Sequence, residues 1–432
     1  MPHFEVDITT ENRGFWTNVK RQFKKNKLAV FSLYFIYFLV LMAIFSDYIA
    51  NEKPLYAIYQ GKTYFPVSQG YLVDLGVSQW PKEFQNRDWH KIEFELAVWP
   101  PIPYLPKNLD FDNAQSVSPL EKQLIKSNHL RHWLGTDELG HDILAGMVHG
   151  TRIALSVGLV SVGISAFLGI LLGSLAGYFG DDRLKISRIR LIMNGLFIVL
   201  AIFYGFGVRS YILSDAIGSS VMSFLLQFFI SIAIFLGIML VGNILASMLK
   251  IHPFFRQKVK IPVDIAISRL IEIIVSIPQI LLIVSIVAIA RPSIFIVMTI
   301  IGLTTWTGIA RFIRGELLRV RNLEYVEAAQ ALGYSEMRII FKHAIPNALS
   351  PVLIAAAFGI AAAILIESAL SFLGIGVPAE TMTWGSLLSA ARQSPSAWWL
   401  AIFPGFAIFL TVTAFNLVGE GLTDALDPRL KQ

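Results

Sequence analysis

The sequence predicts an all-α protein that crosses a membrane several times. Of its 432 residues, 55% are hydrophobic and only 15% are charged, whereas a soluble domain carries about 25% charged residues. Several apolar runs are about 20 residues long, which is the length that a helix needs to cross the hydrocarbon core. The net charge of +6 is therefore attributed to membrane topology and contact with anionic headgroups.

The first element is the basic stretch GFWTNVKRQFKKNK, residues 14–27. On a helical wheel its lysines and arginine lie opposite one apolar face, formed by Phe15, Trp16, Val19 and Phe23. This pattern predicts a helix lying on a negatively charged leaflet, with membrane lipids as partners. An ordinary basic flank is the alternative, and both interpretations put residues 1–27 in the cytoplasm.

Eight spans are predicted, and the first is too long for a signal peptide, so it is interpreted as an uncleaved anchor. The short loops and helix ends on one side carry 23 of the 36 lysines and arginines, against four on the other side. Because cytoplasmic loops are enriched in these residues, the amino and carboxyl termini are both predicted to be cytoplasmic. The predicted spans are 28–50, 153–178, 189–212, 221–249, 265–290, 294–313, 348–373 and 398–417.

Residues 51–150 form a polar segment between the first two spans, on the predicted outer side. It contains the stretch WPPIPYLP, residues 99–106. Long loops within compact domains are usually functional or disordered, and the aromatic residues and prolines favour an ordered cap.

The stretch EYVEAAQALGYSEMRIIFKHAIP, residues 324–346, forms a predicted cytoplasmic loop, hereafter the 324–346 loop. Gly333 suits a left-handed helix end, and Ser335 suits the start of a second short helix. On a helical wheel, one face of the first helix is shared by Tyr325, Ala328, Ala329 and Leu332. One face of the second is shared by Met337, Ile340, Phe341 and Ala344, with Arg338 and Lys342 opposite. The pattern alone allows either a docking element or a helix that positions the next span.

Polar residues inside the predicted spans are few. Glu367 lies in the seventh span, where a carboxylate must face protein or water, so a pathway or interhelical role is expected. Arg269 and Glu272 are expected to pair within the fifth span, and Pro278 is expected to kink that span.

The sequence indicates no catalytic centre, cofactor or metal in this chain. It has no cysteine, which excludes disulfides and thiolate metal sites. It lacks the G-x-x-x-x-G-K-[ST], G-x-S-x-G and H-E-x-x-H motifs. Four histidines near the outer face match no standard zinc spacing. No basic segment interleaved with aromatic residues indicates nucleic acid.

Several motifs, taken together and in order, resemble one transporter family. Glu327-Ala328-Ala329-x-x-x-Gly333, followed by Ile345-Pro346, resembles the EAA loop of permease subunits of ATP-binding-cassette (ABC) importers. LGTDELGHD, residues 134–142 and hereafter the LGTD motif, is similar to the LGTDxxGRD motif of the dipeptide/oligopeptide permeases. Four further stretches match that family, namely residues 15–31, 176–180, 367–377 and 415–430. The segment with NEKPLY, YFPV and WPPIPY looks like the microcin C/peptide-uptake branch.

This resemblance, which covers about 1–180 and 263–432, implies a six-helix permease core with an extra two-helix hairpin. The implied organisation is a cytoplasmic segment 1–27, a first span 28–50, a periplasmic segment 51–150, a core helix 151–180, an inserted hairpin 181–262 and the remaining core 263–432. The hairpin has no counterpart in the usual six-span core. We expect it to pack at the periphery of the core and not to line the pathway.

The resemblance also implies the functional residues and the partners. The residues expected to couple this chain to the ATPases are Tyr325, Glu327, Ala328, Ala329, Gly333 and Arg338. An outer-face motif is expected from Gly135, Thr136, Asp137, Gly140 and Asp142, with His141 where the family usually has arginine. Implied partners are a second homologous permease, two cytoplasmic ATPases or one tandem ATPase, which would bind ATP and Mg, and a periplasmic peptide-binding protein.

The function expected is therefore a permease subunit of a peptide importer in the bacterial inner membrane. One alternative is an ion-coupled secondary transporter, which predicts paired intramembrane acids and inverted repeats. Another is a membrane-anchored scaffold that uses residues 51–150. Neither needs a docking element at the 324–346 loop.

Overall fold

The computed structural model describes residues 15–85, 87–125, 127–219, 221–249, 253–289, 292–378 and 380–426. Seven helices in these ranges are long and apolar enough to cross a membrane, or eight if the broken pair 263–276 and 279–289 is one span. The predicted all-α polytopic class, with about eight spans, is confirmed. The predicted features within residues 1–14 and 427–432 lie outside the described ranges.

The helices within these ranges vary from single turns to 32 residues. In chain order they are α1 Phe15–Phe23, α2 Lys27–Ile44, α3 Ser46–Ile49, α4 Pro66–Asp74, α5 Ile143–Ser174, α6 Arg188–Ile202, α7 Ser210–Ser219, α8 Val221–Met248, α9 Pro253–Arg256, α10 Val263–Ser276, α11 Gln279–Ile289, α12 Ile294–Val320, α13 Glu324–Ala331, α14 Glu336–Ile339, α15 Ile345–Ala348, α16 Ser350–Phe372, α17 Trp384–Gln393 and α18 Trp398–Leu426.

Short strands and π-helical turns complete the described structure. The strands are β1 Tyr56–Tyr59, β2 Lys62–Tyr64, β3 Leu96–Val98, β4 Lys185–Ser187 and β5 Lys258–Lys260. Strands β2, β1 and β3 form one antiparallel sheet in that order, and β4 pairs with β5. The π turns are Leu175–Phe179, Phe203–Gly207 and Ile340–Ala344.

The predicted fifth span is two helices, because the chain breaks between Ser276 and Gln279. Pro278 stands in this break, where its missing N–H cannot continue a helix. The predicted kink is confirmed. Other spans are longer than predicted: α12 continues to Val320 and α18 to Leu426, because their polar ends keep helical spacing beyond the apolar run.

The described residues form two compact units, and the first holds those up to 165, 280–305 and from 350 onward. One core joins α2, α16, α17, α18 and the first part of α5, through buried residues that include Leu39, Leu155, Ile364, Trp384 and Phe415. Segment 51–150 is ordered around the three-stranded sheet. There the Phe84 ring stacks on Trp89 with centroids 5.2 Å apart.

The second unit comprises residues 166–279 and 306–349. One part joins the end of α5 to α10 and α12 around Ala176, Ile271 and Trp306. The other part is the predicted hairpin. In it α6 crosses α8 closely, because a Cβ at Gly242 would lie 2.6 Å from the Phe197 ring. Near the turn of the hairpin, the Arg209 guanidinium links its two arms by donating to the Gln227 side-chain oxygen at 2.6 Å.

Candidate functional site

The 324–346 loop folds as two short helices joined by a tight turn at Gly333. Gly333 has φ +77°, which confirms the predicted left-handed helix end. The Tyr334 N–H donates to the Ala329 carbonyl at 3.1 Å, and the Gly333 N–H donates to the Gln330 carbonyl at 2.9 Å. This pair of bonds is the Schellman motif, which satisfies the last carbonyls of a helix. Ser335 begins α14 as predicted, but its side chain makes no capping bond.

The first helix is held by a face beside the one that Tyr325, Ala328 and Leu332 share. It buries Val326 and Ala329, while those three residues are exposed. Val326 and Ala329 are three positions apart and so share a face. The buried face is therefore offset by about one position from the face read on the helical wheel.

The second helix is held in a similar way. Of the residues on its shared face, Ile340 and Ala344 are buried and Met337 and Phe341 are exposed, and Ile339 is buried beside them. The chain forms a π turn over Ile340–Ala344. A π turn contains one more residue than an α turn, so the spacing of a straight α-helix fails there.

The tip of the loop, defined by the side chains of Leu332, Met337 and Phe341, is exposed and apolar. Every residue from 331 to 338 is exposed. Leu332 is 74% exposed, Met337 59% and Phe341 64%. A contiguous apolar surface rimmed by polar residues is typical of a protein interaction site.

A bond distant in sequence fixes the loop within its unit. The Tyr178 hydroxyl donates to the Glu336 carboxylate, and Tyr178 is fully buried. The Arg183 guanidinium lies over the Tyr178 ring at 4.9 Å and 3.9 Å from the same carboxylate. Sequence reasoning assigned no role to Tyr178, although it lies in the AGYFG stretch that matched the family.

Two other predicted coupling residues take part in local contacts. The Asn347 amide donates to the Tyr325 hydroxyl at 3.2 Å. The Arg338 guanidinium lies 4.4 Å from the centroid of the Tyr334 ring, and that ring stacks on His343. Glu327 and Ala328 are exposed. The predicted residues are therefore gathered in one surface element, in which Glu327, Ala328 and Arg338 are accessible and Ala329 is buried.

The LGTD motif folds as a turn before α5, and two glycines are required by its geometry. Gly135 has φ +79° and Gly140 has φ +87°. A Cβ at Gly135 would lie 2.7 Å from the Val117 carbonyl oxygen, and one at Gly140 would lie 2.1 Å from that of Asp110. Both positions therefore exclude a side chain by conformation and by close backbone approach.

The polar residues of the motif bond mainly to backbone. The Thr136 hydroxyl donates to the Asn113 carbonyl at 2.7 Å, and the Thr136 carbonyl accepts from the Trp399 indole at 3.0 Å. Asp137 accepts from the His141 N–H at 2.9 Å, and its other oxygen lies 2.7 Å from the His141 Nδ1. The motif thus holds segment 51–150 against the start of α18.

Asp142 begins α5 and joins a buried triad. Its Oδ1 accepts from the Ala145 N–H at 2.6 Å, as an N-cap does. Its Oδ2 lies 2.7 Å from His132 Nδ1, and His132 Nε2 lies 3.0 Å from Asp110. Burial opposes the charge of His132, but the two carboxylates outweigh it and raise the pKa of His132 to about 9. The same histidine holds the pKa of Asp110 below its usual value, although burial acts the other way.

A cavity of about 440 Å³ opens beside this motif. Asp137, Glu138 and His141 line one side, and residues of 371–393, including Ser386 and Gln393, line the other. Within the described residues, no group of three or more histidine, aspartate or glutamate side chains is arranged to hold a metal ion.

Glu367 is 1% exposed and lies inside the first unit. Its carboxylate accepts from Ser371 at 2.6 Å and lies 3.4 Å from the Ser368 hydroxyl, both on its own helix α16. Helix α17 packs closely beside them, because a Cβ at Gly385 would lie 2.4 Å from the Ser368 carbonyl oxygen. The carboxylate faces protein and not lipid, while its pathway or interhelical role stays a prediction.

Two family models match the chain. Residues 242–432 match the binding-protein-dependent transport system inner membrane component. Residues 14–66 match the N-terminal TM domain of oligopeptide transport permease C.

Three curated relatives are similar over most of the chain. The dipeptide transport system permease protein DppC of Alkalihalophilus pseudofirmus is 31% identical, covering 69% of this chain and 73% of the relative. The inner membrane ABC transporter permease protein YejE of Escherichia coli is 26% identical, with 98% of each chain covered. The oligopeptide transport system permease protein OppC of Haemophilus influenzae is 26% identical, covering 98% and 91%.

Proposed function

Because this chain belongs to the permease subunits of peptide-importing ABC transporters, we propose that its 324–346 loop couples ATP hydrolysis to the opening of a peptide path. It is a membrane component of an importer for peptides or peptide-like compounds, and ATP hydrolysis takes place in partner subunits. The ion-coupled alternative has no support from the comparisons.

The proposed topology follows the charge distribution. Both termini and the 324–346 loop lie in the cytoplasm, and segment 51–150 lies in the periplasm. The excess of lysine and arginine on one side supports this orientation. Segment 51–150 and the LGTD motif would then face the peptide-binding protein that delivers the substrate.

The observation that carries the proposal is the exposed tip of the 324–346 loop. Leu332, Met337 and Phe341 present apolar surface to the outside of their unit, at a place where lipid does not cover them in the proposed topology. Exposed apolar area of this kind gains free energy when a partner covers it. The partner is the ATPase, which binds ATP and Mg.

The Gly333 turn and the Tyr178–Glu336 bond make the loop a stiff connector. Movement of a docked ATPase would therefore be transmitted to α12 and α16, between which the loop lies in the chain. Rigid-body gating of this kind needs elements with two discrete arrangements.

The complete importer would comprise this chain, a second homologous permease, two ATPases or one tandem ATPase, and the binding protein, with membrane lipids around it and no nucleic acid.

The test is purification of the tagged chain from its native membrane in a mild detergent, with mass spectrometry of the co-eluting proteins. Two P-loop ATPase modules and a second permease are expected. A variant that carries Leu332→Asp and Phe341→Asp tests docking through the tip. It should lose ATPase recovery while the second permease stays bound. Full ATPase recovery with that variant would contradict docking through the tip. A chain that elutes alone and transports without ATP would contradict the whole proposal.

A further inference from the structure

The base of the inserted hairpin contains a strongly basic cavity. It has a volume of about 570 Å³ and lies where α6 begins, α8 ends and β4 pairs with β5. Four cations and two hydroxyls line it, namely Lys185, Arg190, Arg256, Lys258, Ser187 and Ser247. No acidic residue contributes to the lining. The site belongs to none of the functional elements described above.

The protein balances the four cations only weakly, because Asp182 acts on Lys185 at a distance and forms its ion pair with Lys260 instead. Among the described residues, no carboxylate lies within ion-pair distance of any of them. The neighbouring Lys260 differs, because it pairs with Asp182. Lys185 also stands directly opposite Lys260 across the strands, and like charges in such pairs repel. Four positive charges around one cavity therefore favour a bound anion.

Two buried polar atoms at the cavity have no partner among the described residues. They are the Ser187 hydroxyl and the Nε of Arg190. Ser187 is only 7% exposed, so water does not readily solvate its hydroxyl. An unsatisfied buried donor destabilises the fold and calls for a bound water or ion. A rotation of either side chain toward the cavity would let an acceptor-rich anion accept from it.

The chemistry of the lining selects a phosphate. Guanidinium groups bind phosphate oxygens through two parallel hydrogen bonds, and the two lysines supply additional donors. We propose that this cavity binds the phosphate of an anionic phospholipid, so that the headgroup joins the two ends of the hairpin. A free phosphate ion offers the same chemistry without the acyl chains.

The surface beside the cavity favours the lipid source. Leu191 and Ile192 follow Arg190 on α6, and Leu245 and Met248 flank Ser247 on α8; all four are exposed. Acyl chains could lie along these apolar surfaces while the headgroup occupies the cavity. Basic pockets at the cytoplasmic ends of membrane helices commonly bind such headgroups. The proposed topology assigns this end of the hairpin to that leaflet.

Native mass spectrometry of the delipidated full-length chain in detergent tests the proposal. The probes are phosphatidylglycerol, phosphatidylcholine and inorganic phosphate, each titrated separately. One phosphatidylglycerol per chain is expected to bind at least tenfold more tightly than phosphatidylcholine. The Arg190→Gln/Arg256→Gln variant should weaken this binding at least tenfold. The control Lys107→Gln/Lys122→Gln removes the same charge from exposed positions of segment 51–150 and should change it less than twofold.

A second variant separates binding from folding. Ser187→Ala removes an unpartnered hydroxyl, so it should leave the thermal unfolding temperature unchanged or higher while weakening phosphatidylglycerol binding two- to fivefold. Equal losses in the arginine and lysine variants would mean diffuse attraction and would overturn the proposal. Inorganic phosphate binding as tightly as phosphatidylglycerol would refute the lipid source and leave a free-anion site. Binding of neither probe would refute the site itself.

Discussion

Replacement of Gly333 by valine tests how far one backbone conformation controls coupling. At φ +77° an L-residue costs about 1–2 kcal/mol, and a β-branched side chain is worse than average. A free-energy change of this size lowers the ratio of the native turn to its alternatives by about 5–30-fold. No atom lies within 4 Å of a Cβ built at Gly333, so the effect is conformational and not a clash.

The assay is ATP-driven uptake of a mixture of di- and tripeptides into proteoliposomes that contain the whole complex. Gly333→Val should lower uptake about 5–30-fold, with unchanged membrane insertion and unchanged yield of the chain. The matched control is Gly333→Asn, because asparagine tolerates the left-handed conformation; its uptake should stay within about threefold. Uptake by the valine variant within twofold of the original would refute the role of the turn. An equal loss of uptake in the Gly333→Asn variant would show that the left-handed φ of residue 333 does not explain the loss in the valine variant.

Three further perturbations test other parts of the account. Raising the pH should destabilise segment 51–150. The pKa of His132 is about 9 in the folded chain against about 6.5 in the unfolded chain. The stabilisation that protonated His132 gives the fold is therefore complete below pH 6.5, and about 3 kcal/mol of it is lost as the pH rises through 9. Thermal unfolding at pH 7 and 10 measures this, and His132→Gln should remove that part of the pH dependence; an identical pH dependence in the variant would contradict the assignment. Tyr178→Phe keeps the ring under Arg183 but removes the bond to Glu336, so uptake should fall about tenfold with normal insertion; unchanged uptake would show that the bond does not position the loop. Deletion of 181–262 should leave the chain inserted with its 324–346 loop in the cytoplasm, and labelling of a cysteine at position 332 from the outside would refute that.

Local patterns account for the features that the sequence predicted correctly. The spans follow from runs of apolar residues, and the break at Pro278 follows from proline chemistry. The turn at Gly333 follows from a helical pattern that ends on glycine. Each of these depends on a few neighbouring residues, so no knowledge of distant contacts was needed.

The features that sequence reasoning missed depend on contacts between distant residues. Tyr178 and Glu336 are 158 positions apart, and His132 bonds to Asp110 across 22 positions. Histidine spacing alone suggested only a poor zinc site, because the acids that pair with His132 are fixed by the fold of segment 51–150. The buried face of the second half of the 324–346 loop also departs from the helical wheel, since the π turn over Ile340–Ala344 changes the helical spacing there.

Site-directed photo-cross-linking tests the central claim, that the tip of the 324–346 loop contacts the ATPase. The chain has no cysteine, so single cysteines carry the cross-linker without background. Leu332→Cys should cross-link to the ATPase in native membranes. Leu139→Cys, an exposed leucine in the LGTD motif, should not. Cross-linking of the ATPase from position 139 and not from position 332 would contradict both the docking surface and the orientation of the chain.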